Sequence, residues 1–240
     1  FTAPFLAAFE VGDGGAMARP GYPAYRNTLQ ALGCHVVELD CGDEVRFQPT
    51  VALLDQLTAR EGAPPAGLIV ASPANPTGTV IAPDELAAIA TWCADRGTLL
   101  ISDEIYHGIV YDGGRCPSVW ETSREAAVVG SFSKYFSMTG WRLGWLLLPK
   151  PLLRPVELLL GNLNICPPAV AQVAAVAAFD PASRVELDAH VARYATNREL
   201  LLRRLPQLGI THLAPADGAF YAYGDIGHLT GDSTAWCAKT

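Results

Sequence analysis

"AAVVGSFSKYFSMTGWRLGWLLLP", residues 126–149, decides how this chain folds. Its two ends, "AAVVGSF" (126–132) and "WRLGWLLLP" (141–149), have the length and apolar content of buried strands. Only about eight residues lie between them. A parallel crossover takes a dozen or more, so this pair is expected to be antiparallel. Lys134 sits in the short connection, beyond the carboxyl end of the first strand. The chain has three lysines against fourteen arginines, so a lysine among serines and aromatics calls for a chemical reason.

Upstream, "HVVEL" (35–39), "GLIVAS" (67–72) and "TLLIS" (98–102) also read as strands, and Val51–Arg60 and Asp84–Arg96 read as helices between them. In the second helix Leu86, Ile89, Ala90 and Cys93 share a face. Pro83 suits its first turn, Asp84 and Glu85 its N-terminal dipole, and Gly97 its end. Strands alternating with helices imply βαβ units and a mostly parallel sheet, with ligands at the carboxyl ends of the strands. Lys134 is therefore expected where a ligand would sit. After Pro149, Pro151–Leu160, Pro168–Phe179 and a long Ala182–Leu208 read as helices, the last with an apolar stripe of Leu187, Val191, Tyr194, Leu201 and Leu205. "GAFYAYGDI" (218–226) reads as a further strand. A domain change is expected inside the long helix, giving a unit at 1–190 and the start of a smaller α+β unit at 191–240.

Half of the 240 residues are hydrophobic and 17% are charged, which suits a well-buried core. A net charge of −7 argues against a nucleic-acid or anionic-membrane partner. The six cysteines form no CxxC pair and read as thiols of a reducing compartment, hence a cytoplasmic expectation. No apolar run reaches the ~18 residues of a membrane span, and no Cys/His cluster has metal-ligand spacing. The chain opens on Phe1 and stops at "TAWCAKT", which reads as a segment of a longer protein.

Three chemistries compete for Lys134. Ser131-Phe132-Ser133-Lys134 matches the S-x-x-K of serine acyl-enzymes, but no S-D-N or K-T-G follows it. "TLLISDE" (98–104) suggests the acid of a nucleotide hydrolase, but no phosphate-cradling G-x-x-x-x-G-K-[ST] exists. The third reading, pyridoxal phosphate (PLP) chemistry, uses every unusual residue at once. It needs a lysine that forms a Schiff base, an acid at the ring nitrogen, donors to the phenolate oxygen and a phosphate site. Asp103 can supply the acid, Tyr106 and Asn75 the donors, and Ser131, Ser133 and Arg142 the phosphate ligands.

"ASPANPTGTV", "SDEIYHGIVYDG" and "SFSKYFSMTGWRLGW", in this order, resemble the class I/II aminotransferases of PLP fold type I. The likeness extends through "RPGYPAY" (19–25), "GNLNICPPAVAQVAAVAAF" (161–179) and "GAFYAYGDI", and so covers nearly the whole chain. It implies a three-layer α/β/α large domain with one antiparallel strand. It makes Lys134 the Schiff-base lysine and proton carrier, Asp103 the partner of the pyridine nitrogen, and Tyr106 and Asn75 the phenolate donors. It makes Ser131, Ser133 and Arg142 phosphate ligands and places Tyr22 against the pyridine ring. It also implies a cis Asn75–Pro76 bond, a homodimer, and amino-group transfer between an amino acid and a 2-oxo acid. The phosphate-binding turn that relatives carry upstream and the substrate-carboxylate arginine they carry downstream match no residue here. A lyase, decarboxylase or synthase of the same fold, or a non-catalytic sensor domain, are the alternative readings. Residue by residue, Glu104 is expected to be solvated, His107 to be structural, and Trp141 and Trp145 to pack on a strand.

Overall fold

The computed structural model describes residues 1–239. Its centre is a six-stranded sheet built from β1 (Gly14–Arg19), β2 (His35–Asp40), β3 (Gly67–Ala71), β4 (Leu99–Asp103), β5 (Ala127–Ser131) and β6 (Gly144–Leu147), in the order β2-β1-β3-β4-β5-β6. Every neighbouring pair is parallel except β5–β6, which is antiparallel with Ser131 opposite Gly144. The connection length foretold that exception.

Successive strand residues point to opposite faces, and the two faces bury two separate cores. Ala16, Leu68, Val70, Leu100 and Val128 face one core. It is closed by Leu54 and Leu57 of α3 (Val51–Glu61) and by Leu86, Ile89 and Cys93 of α4 (Pro83–Arg96). Met17, Ile69, Ile101 and Ala127 face the other. That one is closed by Phe5 of α1 (Thr2–Ala8), Tyr25 and Leu29 of α2 (Pro23–Ala31) and Val156 of α5 (Lys150–Leu163). The result is a three-layer α/β/α sandwich. α4 behaves as its sequence demands: Pro83 opens it, Asp84 and Glu85 occupy the first turn, and Gly97 ends it at φ 68°.

α6 (Ala169–Ala177) and α7 (Pro181–Arg204) follow, then a 3₁₀ turn over Leu205–Leu208 and the short α8 (Ser233–Cys237). Leu187 of α7 is buried, and Val191 and Tyr194 pack with Tyr106, Ile109, Tyr111 and Ala219. Leu201, by contrast, is 45% exposed, so the apolar stripe is covered only along its first half.

Residues 218–226 do not form the expected strand. They touch neighbours through two single bridges, Val110–Gly218 and Leu213–Gly224, and Ala216 and Ala219 adopt φ of 51° and 55°. Left-handed residues interrupt an extended run, so the aromatics here make ring contacts and no ladder. Trp141 also departs from the strand reading: it ends a 3₁₀ turn, Thr139–Trp141, and is 43% exposed.

Candidate active site

The sheet brings the sequence candidates to one edge. In the parallel register Ala71 of β3 lies beside Asp103 of β4, and Asp103 beside Val129 of β5. Asn75 follows β3 by four residues, Tyr106 follows β4 by three and Lys134 follows β5 by three. Loops leaving parallel strands emerge on the same side of a sheet, so residues as far apart in sequence as Asn75 and Lys134 come to the same edge.

Asp103 is 4% exposed. Its Oδ1 accepts from the Ile105 amide at 3.1 Å, and its Oδ2 accepts from the Tyr25 hydroxyl. Burial pushes its pKa up to about 6, against the pull of these two donors. Both donors are neutral, so the carboxylate has no hydrogen-bonded cation to offset its desolvation. Tyr25 is a site residue that the sequence reading missed. The available signal was its spacing: Tyr22 and Tyr25 flank Pro23 at the opening turn of α2, and i, i+3 residues share a face. Their rings meet edge-on with centroids 5.4 Å apart, and Tyr22 is 40% exposed toward solvent.

Lys134 is half-buried, its Nζ 5.5 Å from the Tyr106 ring centroid and 5.6 Å from that of Phe220. Both contacts fall within cation–π range. The lysine loop is tied to α7: Tyr135 Oη donates to Asp188 Oδ1 at 2.6 Å, and Ser137 Oγ and His190 Nδ1 hydrogen-bond at 3.1 Å. Gly108 permits this arrangement. It takes φ of 90°, and a Cβ there would lie 2.6 Å from the Tyr135 ring.

On the other side of the lysine, Ser131 Oγ accepts from the Ser133 amide at 3.0 Å. The Thr139 hydroxyl donates to Ser133 O, and Arg142 Nη1 donates to Thr139 O at 2.9 Å. Ser131, Ser133 and Arg142 thus share one hydrogen-bonded loop, with the arginine exposed at its rim. The Asn75–Pro76 bond is cis, as the resemblance implied, and so are Arg19–Pro20 and Ser72–Pro73. The turn is docked on residues 216–218: the Gly218 amide donates to Gly78 O at 2.8 Å, and Gly78 takes φ of 70°.

Glu104 corrects its expectation. It is 7% exposed, accepting from the Val119 amide at 2.9 Å and from Ser102 Oγ at 3.1 Å. A strand-end carboxylate beside an apolar core must satisfy its oxygens internally, and here it ties the 104–119 loop to β4. His107 Nδ1 lies 3.5 Å from Glu104 Oε2, and burial holds the imidazole below its usual pKa, hence neutral. Trp145 packs as expected, edge-on to Phe132 at 5.2 Å. Gly130 makes room for it, since a Cβ there would lie 2.1 Å from the indole. Among the described residues no His, Cys, Asp or Glu group is placed to hold a metal ion, and no helix is long and apolar enough to cross a membrane.

The family model described as aminotransferase class I and II matches residues 1–238. The chain belongs to that family. It is 57% identical over all 240 residues to a valine–pyruvate aminotransferase of Mycobacterium tuberculosis and spans 61% of that protein. It is 30% identical over 95% of its length to an aspartate/prephenate aminotransferase of Thermus thermophilus, spanning 59% of it. Among solved structures, an aminotransferase from Mycobacterium tuberculosis superposes with a TM-score of 0.95 at 56% identity, covering 99% of this chain and 61% of that one. A Thermus thermophilus aspartate aminotransferase with maleate gives 0.90 at 28% identity, covering 98% and 61%. This chain therefore spans about three-fifths of the length of the relatives it matches.

Proposed function

We propose that the parent protein is a PLP-dependent aminotransferase that moves an α-amino group between an amino acid and a 2-oxo acid, with valine and pyruvate as the pair to try first. The observation that carries this reading is Asp103: a buried carboxylate with two neutral donors, at the same sheet edge as Lys134 and Tyr106. A protonated pyridine ring is the cation such a carboxylate lacks, so the donor set fits the cofactor. The 57% identity to a valine–pyruvate aminotransferase supports the substrate pair.

When bound, PLP supplies an aldehyde for the amino group and a ring that withdraws electrons from the substrate. The residues divide the remaining work. Lys134 Nζ would hold the cofactor covalently and, once free, would carry the proton from the substrate Cα to the cofactor's former aldehyde carbon, across the intervening nitrogen. Asp103 accepts from the ring N–H and keeps it protonated, while Tyr25 holds the carboxylate in place and in its charged form. Tyr106 and Asn75 donate to the phenolate oxygen. Burial above all, with the Asp103 carboxylate nearby, holds the Tyr106 phenol far above its usual range, so it keeps a proton to donate. Ser131, Ser133 and Arg142 bind the phosphate, where the arginine can engage two oxygens at once. Tyr22 covers the ring face.

We also place a unit boundary near residue 190. α7 is continuous through that point, and its side chains beyond it pack with residues 219–221 and with the 105–111 loop, but belong to neither core of the sheet. The exposed apolar residues of α5 and α6, Leu153, Leu158, Val170 and Val173 among them, support a homodimer of the full-length protein. Six free cysteines fit a reducing cytoplasm. The test of function is product analysis on the full-length protein with PLP, valine and pyruvate. Alanine formed in step with loss of valine is expected; loss of the donor as carbon dioxide or by elimination, without alanine, contradicts amino transfer.

A further inference from the structure

Tyr106 has a partner that the strand-by-strand reading did not supply. Its hydroxyl forms a hydrogen bond with the hydroxyl of Tyr221, 115 residues away, and the two rings meet edge-on at 5.6 Å. The segment holding Tyr221 is fixed on both sides. The Ala219 amide donates to Ile109 O at 2.9 Å, the Gly218 amide donates to Gly78 O at 2.8 Å, and Tyr111 donates to Ala219 O. Gly218 is required at the contact, since a Cβ would stand 2.5 Å from Ile109 O. Tyr221 is thus delivered to Tyr106 by a braced backbone and not by a mobile loop.

Two hydroxyls joined by one hydrogen bond commit one proton to the bond and leave one free. If Tyr106 donates to a cofactor, its own proton is the free one, and Tyr221 must be the donor within the pair. We propose that Tyr221 is a positioning residue: its hydroxyl donates to Tyr106 Oη, directing the Tyr106 proton toward the phenolate oxygen of PLP and strengthening that donation. Hydrogen bonds in series polarise one another, so the donor behind Tyr106 makes Tyr106 the stronger acid toward its acceptor. This inference rests on the cofactor reading above. It also gives residues 216–221 a part in tuning the site beyond lining it.

The test uses the full-length protein loaded with PLP, following the visible absorption band of the lysine-bound cofactor against pH. A donor to the phenolate oxygen favours the deprotonated form of the bound cofactor, so losing it raises the titration midpoint. The titratable groups facing Tyr106 are Asp103, Tyr22, Tyr221 and Lys134. All but Tyr221 are kept in the variant, so the shift reports the hydroxyl removed. Tyr221→Phe is expected to raise the midpoint by roughly half a pH unit, about a threefold change in the acid constant. Tyr106→Phe should raise it further, and adding Tyr221→Phe to Tyr106→Phe should change nothing more. Placing 3-fluorotyrosine at 221, a stronger donor of nearly the same shape, should lower the midpoint, a reversal that a packing role cannot give. An unmoved midpoint in both Tyr221 replacements, or a full-sized Tyr221→Phe shift in the Tyr106→Phe background, overturns the proposal alone. A wild-type protein with no such band overturns the cofactor reading and this inference with it.

Discussion

Asp103 titrates near 6 in the folded chain because it is buried, against an ordinary value of 3.8. The folded state therefore holds this proton more tightly than the unfolded state does. Its contribution to stability is greatest below about pH 4 and declines as pH rises through about 6, by roughly 3 kcal/mol in all. Asp103→Asn should accordingly melt higher than wild type at pH 7 without cofactor, with the difference closing by pH 4, as thermal melts at both pH values will show. With PLP added, the wild type should gain more than the variant, since a ring cation stabilises only the carboxylate. In the proposed reading, Asp103 trades stability for chemistry. Gly78 acts at the same scale. It combines φ of 70° with a would-be Cβ only 2.8 Å from Gly218 O, so Gly78→Ala should destabilise by about 1–3 kcal/mol in urea titrations. An unchanged midpoint would mean that the turn is not docked on residues 216–218. Asp103 and Lys134 were legible from sequence because each stands in a distinctive local setting. Tyr25 and Tyr221 were not, because their roles exist only once segments 78 and 115 residues apart are folded together.

At the scale of elements, β-branched and aliphatic runs gave β2 to β5, and a short connection gave the direction of β6. β1, "GGAMAR", escaped because glycine and alanine carry no strand preference. It lies between β2 and β3, and a Cβ at Gly15 would meet Leu29 at 2.7 Å, so small residues are demanded by α2 packing close above. Residues 218–226 misled in the other direction: the segment reads as a strand, but its aromatics meet Tyr106, Tyr194 and Phe47 in ring contacts. α4 shows the usual economy of an amphipathic helix. Ile89 is fully buried between it and the sheet, so Ile89→Ala should cost about 2–5 kcal/mol, read as a lower urea midpoint with the slope unchanged. A loss below about 0.5 kcal/mol would place that face outside the core.

For the whole molecule, what matters is how much of the site one chain of this length provides. α5, α6 and their connection expose Leu158, Leu163, Ile165, Val170, Val173 and Val176, and the groove between α5 and β6 measures about 1450 Å³. Exposed apolar patches of this size typically mark contact surfaces in soluble proteins. The 240-residue chain alone is expected to self-associate at micromolar concentration and to bind hydrophobic dyes, whereas the full-length protein should sediment as a defined dimer. It is likewise expected to retain PLP weakly and to turn over negligibly, since it spans 61% of its Mycobacterium tuberculosis relative. Robust amino transfer by this length of chain would show that the described residues suffice. The most direct test of the central claim is the visible spectrum of the full-length protein with PLP, beside Lys134→Ala. The account predicts an imine band that titrates with pH in the wild type and is absent from the variant; the same band in both would contradict it.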